Sequence, residues 1–226
     1  MPVFRLNKEI VFPPPELAEP DGLLAVGGDL SPERLLAAYQ QGIFPWYSGG
    51  EPILWWSLSP RLVLFPEEFH LPRSLARTIR RGIYQVSADT AFAEVIAACA
   101  AVRQESGTWI SKEMQAAYIR LHELGFAHSV ECRFEGQLAG GLYGVCLDRM
   151  FFGESMFSLR DDASKVALAA LVSHAREIGI QAIDCQMTTA HMLRFGSREL
   201  DRPVFQELLE RCVQQVKPQE RWRLSD

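Results

Sequence analysis

No C-x-x-C pair occurs in this chain of 226 residues, and its five cysteines (Cys99, Cys132, Cys146, Cys185 and Cys212) are odd in number and widely scattered. Neither a disulfide framework nor a structural zinc site is expected from such spacing. The histidines form no H-E-x-x-H or comparable ligand cluster, so no metal is expected either. No apolar run is long enough to span a bilayer, and MPVFRLNKEI lacks the plan of a signal peptide. Internal repeats and low-complexity tracts are also missing. The expectation is a reduced, cytoplasmic, metal-free protein with no membrane association. A hydrophobic share of 48% with 23% charged residues is that of a globular chain. Its length can bury a full core in one domain or one and a half.

A second absence is local. The net charge of −5 argues against a nucleic-acid partner, yet no acidic residue stands between Glu68 and Asp89. That window holds LPRSLARTIRRG, whose Arg73, Arg77, Arg80 and Arg81 follow i, i+4, i+7, i+8 spacing along one helix face. Leu71, Leu75 and Ile79 fall opposite and are expected to anchor the helix. A basic stripe on an acid-free surface suits a phosphate backbone; a solvated helix face is the other reading.

Residues 1–60 are rich in proline, glycine and tryptophan. FPPPELAEPDG cannot be regular helix or central strand, because its prolines fix φ and remove donors. A short helix follows, with Ser31 as N-cap, Pro32 at its first position and Gly42 as its stop. GIFPWYSGGEPILWWS then gathers three tryptophans, as a binding wall or as a small core beneath a loop; the wall is preferred. From Arg61 onward RLVLF and YQVSA read as strands flanking the arginine helix. Thr90 caps a helix running to about Arg103, and Ser111 caps another ending before Gly125. AHSVECRF, LAGGLYGVCL and MFFGESMF form an antiparallel meander. A long helix over ASKVALAALVSHAREIG and a strand over QAIDCQM complete an α+β sheet domain.

Three sets of residues could carry chemistry. In QAIDCQM, alternation puts Ile183, Cys185 and Met187 on one face and Asp184 and Gln186 on the other. A carboxylate and an amide on a mostly buried sheet are costly unless paired or used. Glu154, in GESMFS, stands near the end of the strand before the long helix. If the two strands are neighbours, Glu154 and Asp184 open onto one cleft. The third option is a nucleophile, Ser155 or Cys185, with His174 or His191. It is disfavoured, because GESMF is not a G-x-S-x-G elbow and Cys185 has no charge partner to lower its pKa. His122 and His128 read as surface or turn residues. A meander followed by helix and strand also resembles acetyltransferases that bind coenzyme A. The glycine turn that would hold pyrophosphate is replaced here by SLRDDASKVAL, whose aspartates would repel it.

GLLAVGGDLSPERLLAAYQQGIFPWY, ILWWS-x-x-PR, TWI, LHELG-x-AHSVE, GGLYGV, FFGESMFS, DASKVAL and DCQ, in this order from about residue 10 to residue 210, resemble the bacterial leucyl/phenylalanyl-tRNA–protein transferases. The resemblance implies an acetyltransferase-like (GNAT-like) mixed sheet flanked by helices over 61–226, preceded by a small N-terminal α/β domain over 1–60. It implies transfer of leucine or phenylalanine from Leu-tRNA or Phe-tRNA to the N-terminal α-amine of proteins beginning with Arg or Lys, creating a degradation signal. Aminoacyl-tRNA is then the acyl donor, with no ATP, coenzyme A or metal, and the enzyme is expected to act as a monomer.

The same resemblance makes Asp184 and Gln186 the catalytic pair, with Asp184 orienting the Gln186 side chain, both facing the cleft and Cys185 facing the core. Glu154 would meet the acceptor's basic side chain through a charge-assisted bond. An aminoacyl pocket is implied at Trp46, Leu142, Phe151, Leu168, Leu171 and Ile183. Such a pocket separates aliphatics by only about 1–3 kcal/mol per methylene, so some tolerance, for methionine for example, is expected. Tyr39, Trp109 and Tyr118 match positions near the terminal adenosine, and the four arginines match an acceptor-stem patch. HMLRFGSRELDRP departs from the family pattern at Arg194, Phe195 and Ser197 and delays its proline to Pro203, which bears on loop shape and acceptor preference. The competing readings are a coenzyme A-dependent N-acyltransferase and a non-catalytic RNA-binding module.

Overall fold

The computed structural model describes residues 3–102 and 108–225. Among them two sheets form. The first holds β1 (Phe4–Leu6), β2 (Leu23–Gly27), β3 (Phe44–Pro45) and β4 (Leu54–Trp56) in the order β1-β2-β4-β3, with β1 parallel to β2 and the other pairs antiparallel. Helix α1 (Pro32–Tyr39) begins with proline, whose missing N–H costs nothing there. Ser31 stands at its N-cap, but its side chain makes no capping bond. Trp55 belongs to the core, not to a binding wall, and Trp46 and Trp56 pack half-buried against it. Trp55 is fully buried and donates Nε1–H to the Gly27 carbonyl at 2.8 Å, while Trp56 donates to the Trp46 carbonyl at 2.6 Å. Indoles out of water need such acceptors, and backbone at the end of β2 and just after β3 supplies them.

The second sheet comprises β5 (Arg61–Leu64), β6 (Gln85–Ala88), β7 (Ala127–Phe134), β8 (Gln137–Leu147), β9 (Met150–Ser158), β10 (Ala182–Gln186) and β11 (Arg198–Leu200), in the order β11-β5-β10-β9-β8-β7-β6. Strands β7 to β9 are the expected antiparallel meander. Glycines in GGLYG permit close packing: a Cβ on Gly140 would come within 2.7 Å of the Ala163 Cβ, and one on Gly144 within 2.1 Å of the Phe152 carbonyl oxygen. Helix α5 (Ala163–Glu177) crosses over to β10, which lies parallel to β9. It ends at Gly179 (φ +80°), where Ile180 N–H reaches the Ala175 carbonyl at 2.8 Å in a left-handed stop.

Helix α2 (Arg73–Arg80) rests on Leu75, which is buried, whereas Leu71 and Ile79 stay about 40% exposed and line a shallow groove against α5. The anchor is one residue, not three. Helix α3 (Phe92–Ala101) has Ala91 at its N-cap; Thr90 instead donates its hydroxyl to buried Glu131 at 2.8 Å. Arg103, where the sequence places the end of that helix, lies outside the described residues. In α4 (Lys112–Glu123) Ser111 does cap, accepting from Met114 N–H at 3.1 Å. Helices α6 (Ala190–Leu193) and α7 (Arg202–Cys212) follow β10, and α6 and α7 flank β11. Strands β4 and β5, which belong to different sheets, are separated only by residues 57–60. Yet one hydrophobic cluster runs from Trp55 and Tyr39 to Phe152 and Phe205, so the two sheets share a core.

Candidate active site

Pairing between β9 and β10 stops at Asp184↔Phe152. Glu154 and Gln186 lie two residues further along each strand, where the parallel pair has parted. There Gln186 Nε2 donates to Glu154 Oε1 at 2.8 Å. The expected adjacency of the two strands therefore exists, and it brings together Glu154 and Gln186 in particular. Gln186 adopts φ +60°, at a register shift against β5. A non-glycine residue held left-handed is strained and persists only where its surroundings fix it. What fixes it is Asp184, whose Oδ1 accepts the Gln186 backbone N–H at 2.8 Å.

Asp184 itself is fully buried against Arg61, which donates through Nε (2.9 Å) and Nη2 (2.6 Å) to its two oxygens. The guanidinium also lies 4.8 Å from the ring centroids of Phe44 and Phe205. The alternation expected of QAIDCQM holds from Ile183 to Cys185, before the register shift at Gln186, but the cavity is on the other face. Ile183 and Cys185 line it, and Asp184 points away into the Arg61 pocket. Three expectations are corrected: Asp184 does not face the cleft, Cys185 lines it instead of facing the core, and Asp184 grips the Gln186 backbone, not the side-chain amide.

The cavity, of about 310 Å³, is lined by Leu142, Phe151, Leu168, Leu171 and Ile183, five of the six residues expected to form it. Trp46 is not among them; it packs against Trp56 at 5.7 Å between ring centroids. Glu154 sits on the cavity wall, together with Met156, Cys185, His191 and Met192, which the sequence reading did not assign to a pocket. Cys185 and His191 share the wall with Ser155, but no hydrogen bond links the three among the described residues. Burial, then the neighbouring Asp184, pushes the Cys185 thiol far up, which removes it as a nucleophile. His174 is buried elsewhere, its ring 4.9 Å from Trp222 and its pKa lowered by burial.

Tyr39 and Tyr118 are fully buried and cannot offer a face to an adenine; their hydroxyls meet Glu154 Oε1 (2.7 Å) and Oε2 (2.9 Å). Trp109 is half-buried at the edge of the same core. His128 is not a surface residue: it is buried, stacks on Trp222 at 4.2 Å and contacts Asp89 through Nδ1 at 2.7 Å. Arg73, Arg77, Arg80 and Arg81 are exposed along α2 and its end. In the unusual segment after β10, Phe195 is buried and stacks on Phe69 at 5.6 Å, which pins the loop; Arg194 is exposed.

Burial raises the Glu154 carboxyl from 4.5 to about 7, against the hydrogen bonds from both tyrosines. The folded state thus keeps a proton that the unfolded state loses earlier. Stability from this source is complete below pH about 4.5 and is lost as pH rises to about 7, a total of about 3 kcal/mol. Urea midpoints for wild type are expected to fall across that window relative to Glu154→Gln, which has nothing to titrate. Parallel curves for the two proteins would contradict it.

Residues 63–210 match the family described as leucyl/phenylalanyl-tRNA protein transferase, and residues 28–59 match its N-terminal domain. The leucyl/phenylalanyl-tRNA–protein transferase of Magnetococcus marinus is 56% identical over 229 aligned positions, covering 99% of this chain and 97% of that protein. The one from Desulfatibacillum aliphaticivorans is 57% identical over 227, covering 100% and 97%. Among solved structures, a GCN5-related N-acetyltransferase from Kribbella flavida matches at 13% identity and a TM-score of 0.41, over 74% of this chain and 60% of that one. FemX matches at 12% and 0.48, over 79% and 71%. Those two likenesses are too distant to bear on chemistry. The sequence relatives are not: this chain belongs to the leucyl/phenylalanyl-tRNA–protein transferase family and is an aminoacyltransferase.

Proposed function

We propose that the protein transfers leucine or phenylalanine, with tolerance for methionine, from Leu-tRNA or Phe-tRNA to the N-terminal amine of proteins beginning with Arg or Lys, marking them for degradation by the N-degron route. The observation that carries this reading is the Glu154–Gln186 contact beside an apolar cavity, where β9 and β10 part. The cavity is of a size and polarity to take a leucyl or phenylalanyl side chain. The ester carbonyl then lies toward Gln186, whose amide oxygen has no hydrogen-bond donor among the described residues. That oxygen holds the attacking amine.

The reaction needs little more than placement. An α-amine has a pKa of about 7.7–8.0, so roughly a tenth is already neutral near pH 7. Its nitrogen attacks the ester carbonyl carbon, the bond to the tRNA ribose oxygen breaks, and the proton shed by nitrogen ends on that oxygen. No ATP, coenzyme A or metal enters this balance. Asp184 and Arg61 act behind Gln186 as positioning residues. Glu154 meets the acceptor's basic side chain. Trp109 is the remaining stacking candidate for the terminal adenosine, and the α2 arginines lie along the acceptor stem. The protein acts as a cytoplasmic monomer.

The test is transfer of labelled leucine from leucyl-tRNA to an Arg-initiated peptide with no nucleotide or coenzyme A added. Labelled peptide is expected, and none when the peptide's amine is acetylated. Tight tRNA binding without transfer would refute the reading. The arginine stripe makes a separate prediction. Arg77→Ala and Arg80→Ala are each expected to weaken tRNA binding and reduce the slope of log affinity against log salt by about 0.7–0.9 per lost phosphate contact. Transfer from a short aminoacylated 3′-terminal fragment should stay at the wild-type rate; equal loss with the fragment would place these arginines elsewhere in the mechanism.

A further inference from the structure

Three short oxygen–oxygen contacts close a triangle inside the protein: Tyr39 Oη to Tyr118 Oη at 2.5 Å, Tyr39 Oη to Glu154 Oε1 at 2.7 Å, and Tyr118 Oη to Glu154 Oε2 at 2.9 Å. Both tyrosines are wholly buried and Glu154 is 8% exposed. Each contact needs one proton between its two oxygens. Two phenols bring two, and a carboxylate brings none. With Glu154 ionised, one pair of oxygens would face lone pair to lone pair, which is costly in a dry site. With Glu154 neutral the count closes. Glu154 Oε2–H donates to Tyr118, Tyr118 donates to Tyr39, and Tyr39 donates to Glu154 Oε1, which also accepts from Gln186 Nε2.

We infer that Tyr39 and Tyr118 determine acceptor specificity by closing a ring that holds a proton on Glu154 in the resting enzyme, a proton that a cationic acceptor side chain displaces and a neutral one does not. The inference rests on the reading of Glu154 as the group that meets that side chain. None of the groups facing Glu154 supplies its carboxylate with an uncommitted cation. Tyr39 comes from α1 and Tyr118 from α4, with Tyr143 of β8 behind Tyr118 at 5.6 Å. From β10 come Gln186 and the anionic Asp184. The cation of β5, Arg61, is committed to Asp184 by two hydrogen bonds. Burial raises the Glu154 pKa to about 7, and the phenols oppose that rise only when both donate to the carboxylate; the Tyr39–Tyr118 contact is what calls for the third proton.

An arriving guanidinium or ammonium supplies the missing positive charge. The acid form and the cation become an ion pair, and one proton leaves to solvent. Neither phenol is consumed; each can then donate to the carboxylate, and the Tyr39–Tyr118 contact opens. A neutral acceptor side chain has nothing to exchange for the proton. Selectivity for basic residues thus comes from a proton exchange and not from a standing negative charge.

The experiment has two parts. In infrared spectra of the resting enzyme, a protonated-carboxyl carbonyl band is expected to fade as pH rises through about 7 and to be absent in Glu154→Gln, whose amide can keep the ring closed. Calorimetry with an Arg-initiated peptide, in buffers of different ionisation heat, should then show release of about half a proton more per peptide near pH 7 than an Ala-initiated peptide shows. Any proton shed by the α-amine is common to both peptides and drops out of the difference. Tyr39→Phe and Tyr118→Phe each leave a single phenol and remove the need for the third proton, so release should fall in both. Binding of the Arg peptide with no more proton release than the Ala peptide, or an infrared titration unchanged in both tyrosine variants, would overturn the inference while leaving the acceptor reading intact. Equal affinity for Arg- and Ala-initiated peptides would overturn the acceptor reading and the inference with it.

Discussion

Replacing Gln186 with alanine is expected to lower kcat/KM for leucyl transfer roughly 10²–10³-fold, the scale on which loss of one aimed polar group slows acyl transfer. The chain spends strained backbone on this residue, φ +60° at a register shift, and fixes it through the Asp184 carboxylate and Glu154. A side chain held from both ends is suited to place an amine, and misplacement by about 1 Å can cost about 10²-fold. The variant also leaves Glu154 without one donor, which costs about 1–3 kcal/mol of stability at most. Single-turnover transfer compared with a urea midpoint separates the two effects. Wild-type turnover in a folded Gln186→Ala protein would remove Gln186 from the mechanism.

Arg61→Ala is expected to be the more damaging change to the fold. It strands the Asp184 carboxylate, fully buried and bonded through both oxygens, and stranding one partner of a buried pair costs about 3–5 kcal/mol. Phe44 and Phe205 also lose the cation between them, which loosens the contact of the first sheet with α7. Replacing both partners together, Arg61→Met with Asp184→Leu, should recover much of the stability, because an apolar pair has no stranded charge. Activity should not return with it, since the Gln186 N–H loses the acceptor that holds its turn. Chemical denaturation and transfer assays on the single and double variants check both statements. A double variant as unstable as Arg61→Ala, or one with restored activity, would contradict this division of roles.

Much of the architecture was legible because each element carries its own local signal. The meander, the α5 crossover ending at Gly179, the Ser111 cap and the basic face of α2 follow from periodicity and turn chemistry. Thr90 misled because its hydroxyl found a better partner, Glu131, 41 residues away in sequence. The tryptophans of 46–56 misled for a related reason: the indole N–H groups of Trp55 and Trp56 are satisfied by backbone carbonyls of Gly27 and Trp46, so a loop-like composition conceals a core around Trp55.

At the site, the apolar residues of the pocket, Glu154 and Gln186 were each visible through the family resemblance, but the expected pair was Asp184 with Gln186; the structure brings five of the six pocket residues together and joins Gln186 to Glu154 instead. Arg61 stood in the quoted ILWWS-x-x-PR motif, yet its importance lies in a partner 123 residues distant, which no local pattern reveals. Period-2 alternation separates Asp184 from Cys185 but cannot say which face holds the cavity. Tyr39 and Tyr118 have helix positions compatible with core or with binding; only the triangle with Glu154 decides between them.

The most direct measurement is a crystal structure with phenylalanyl-adenosine linked through a stable 3′-amide. The account predicts the phenyl ring in the cavity between Leu142, Leu168, Leu171 and Ile183, with the linking carbonyl beside Gln186. A phenyl ring seated anywhere else, such as the groove between α2 and α5, with the Glu154–Gln186 opening unoccupied, would contradict it.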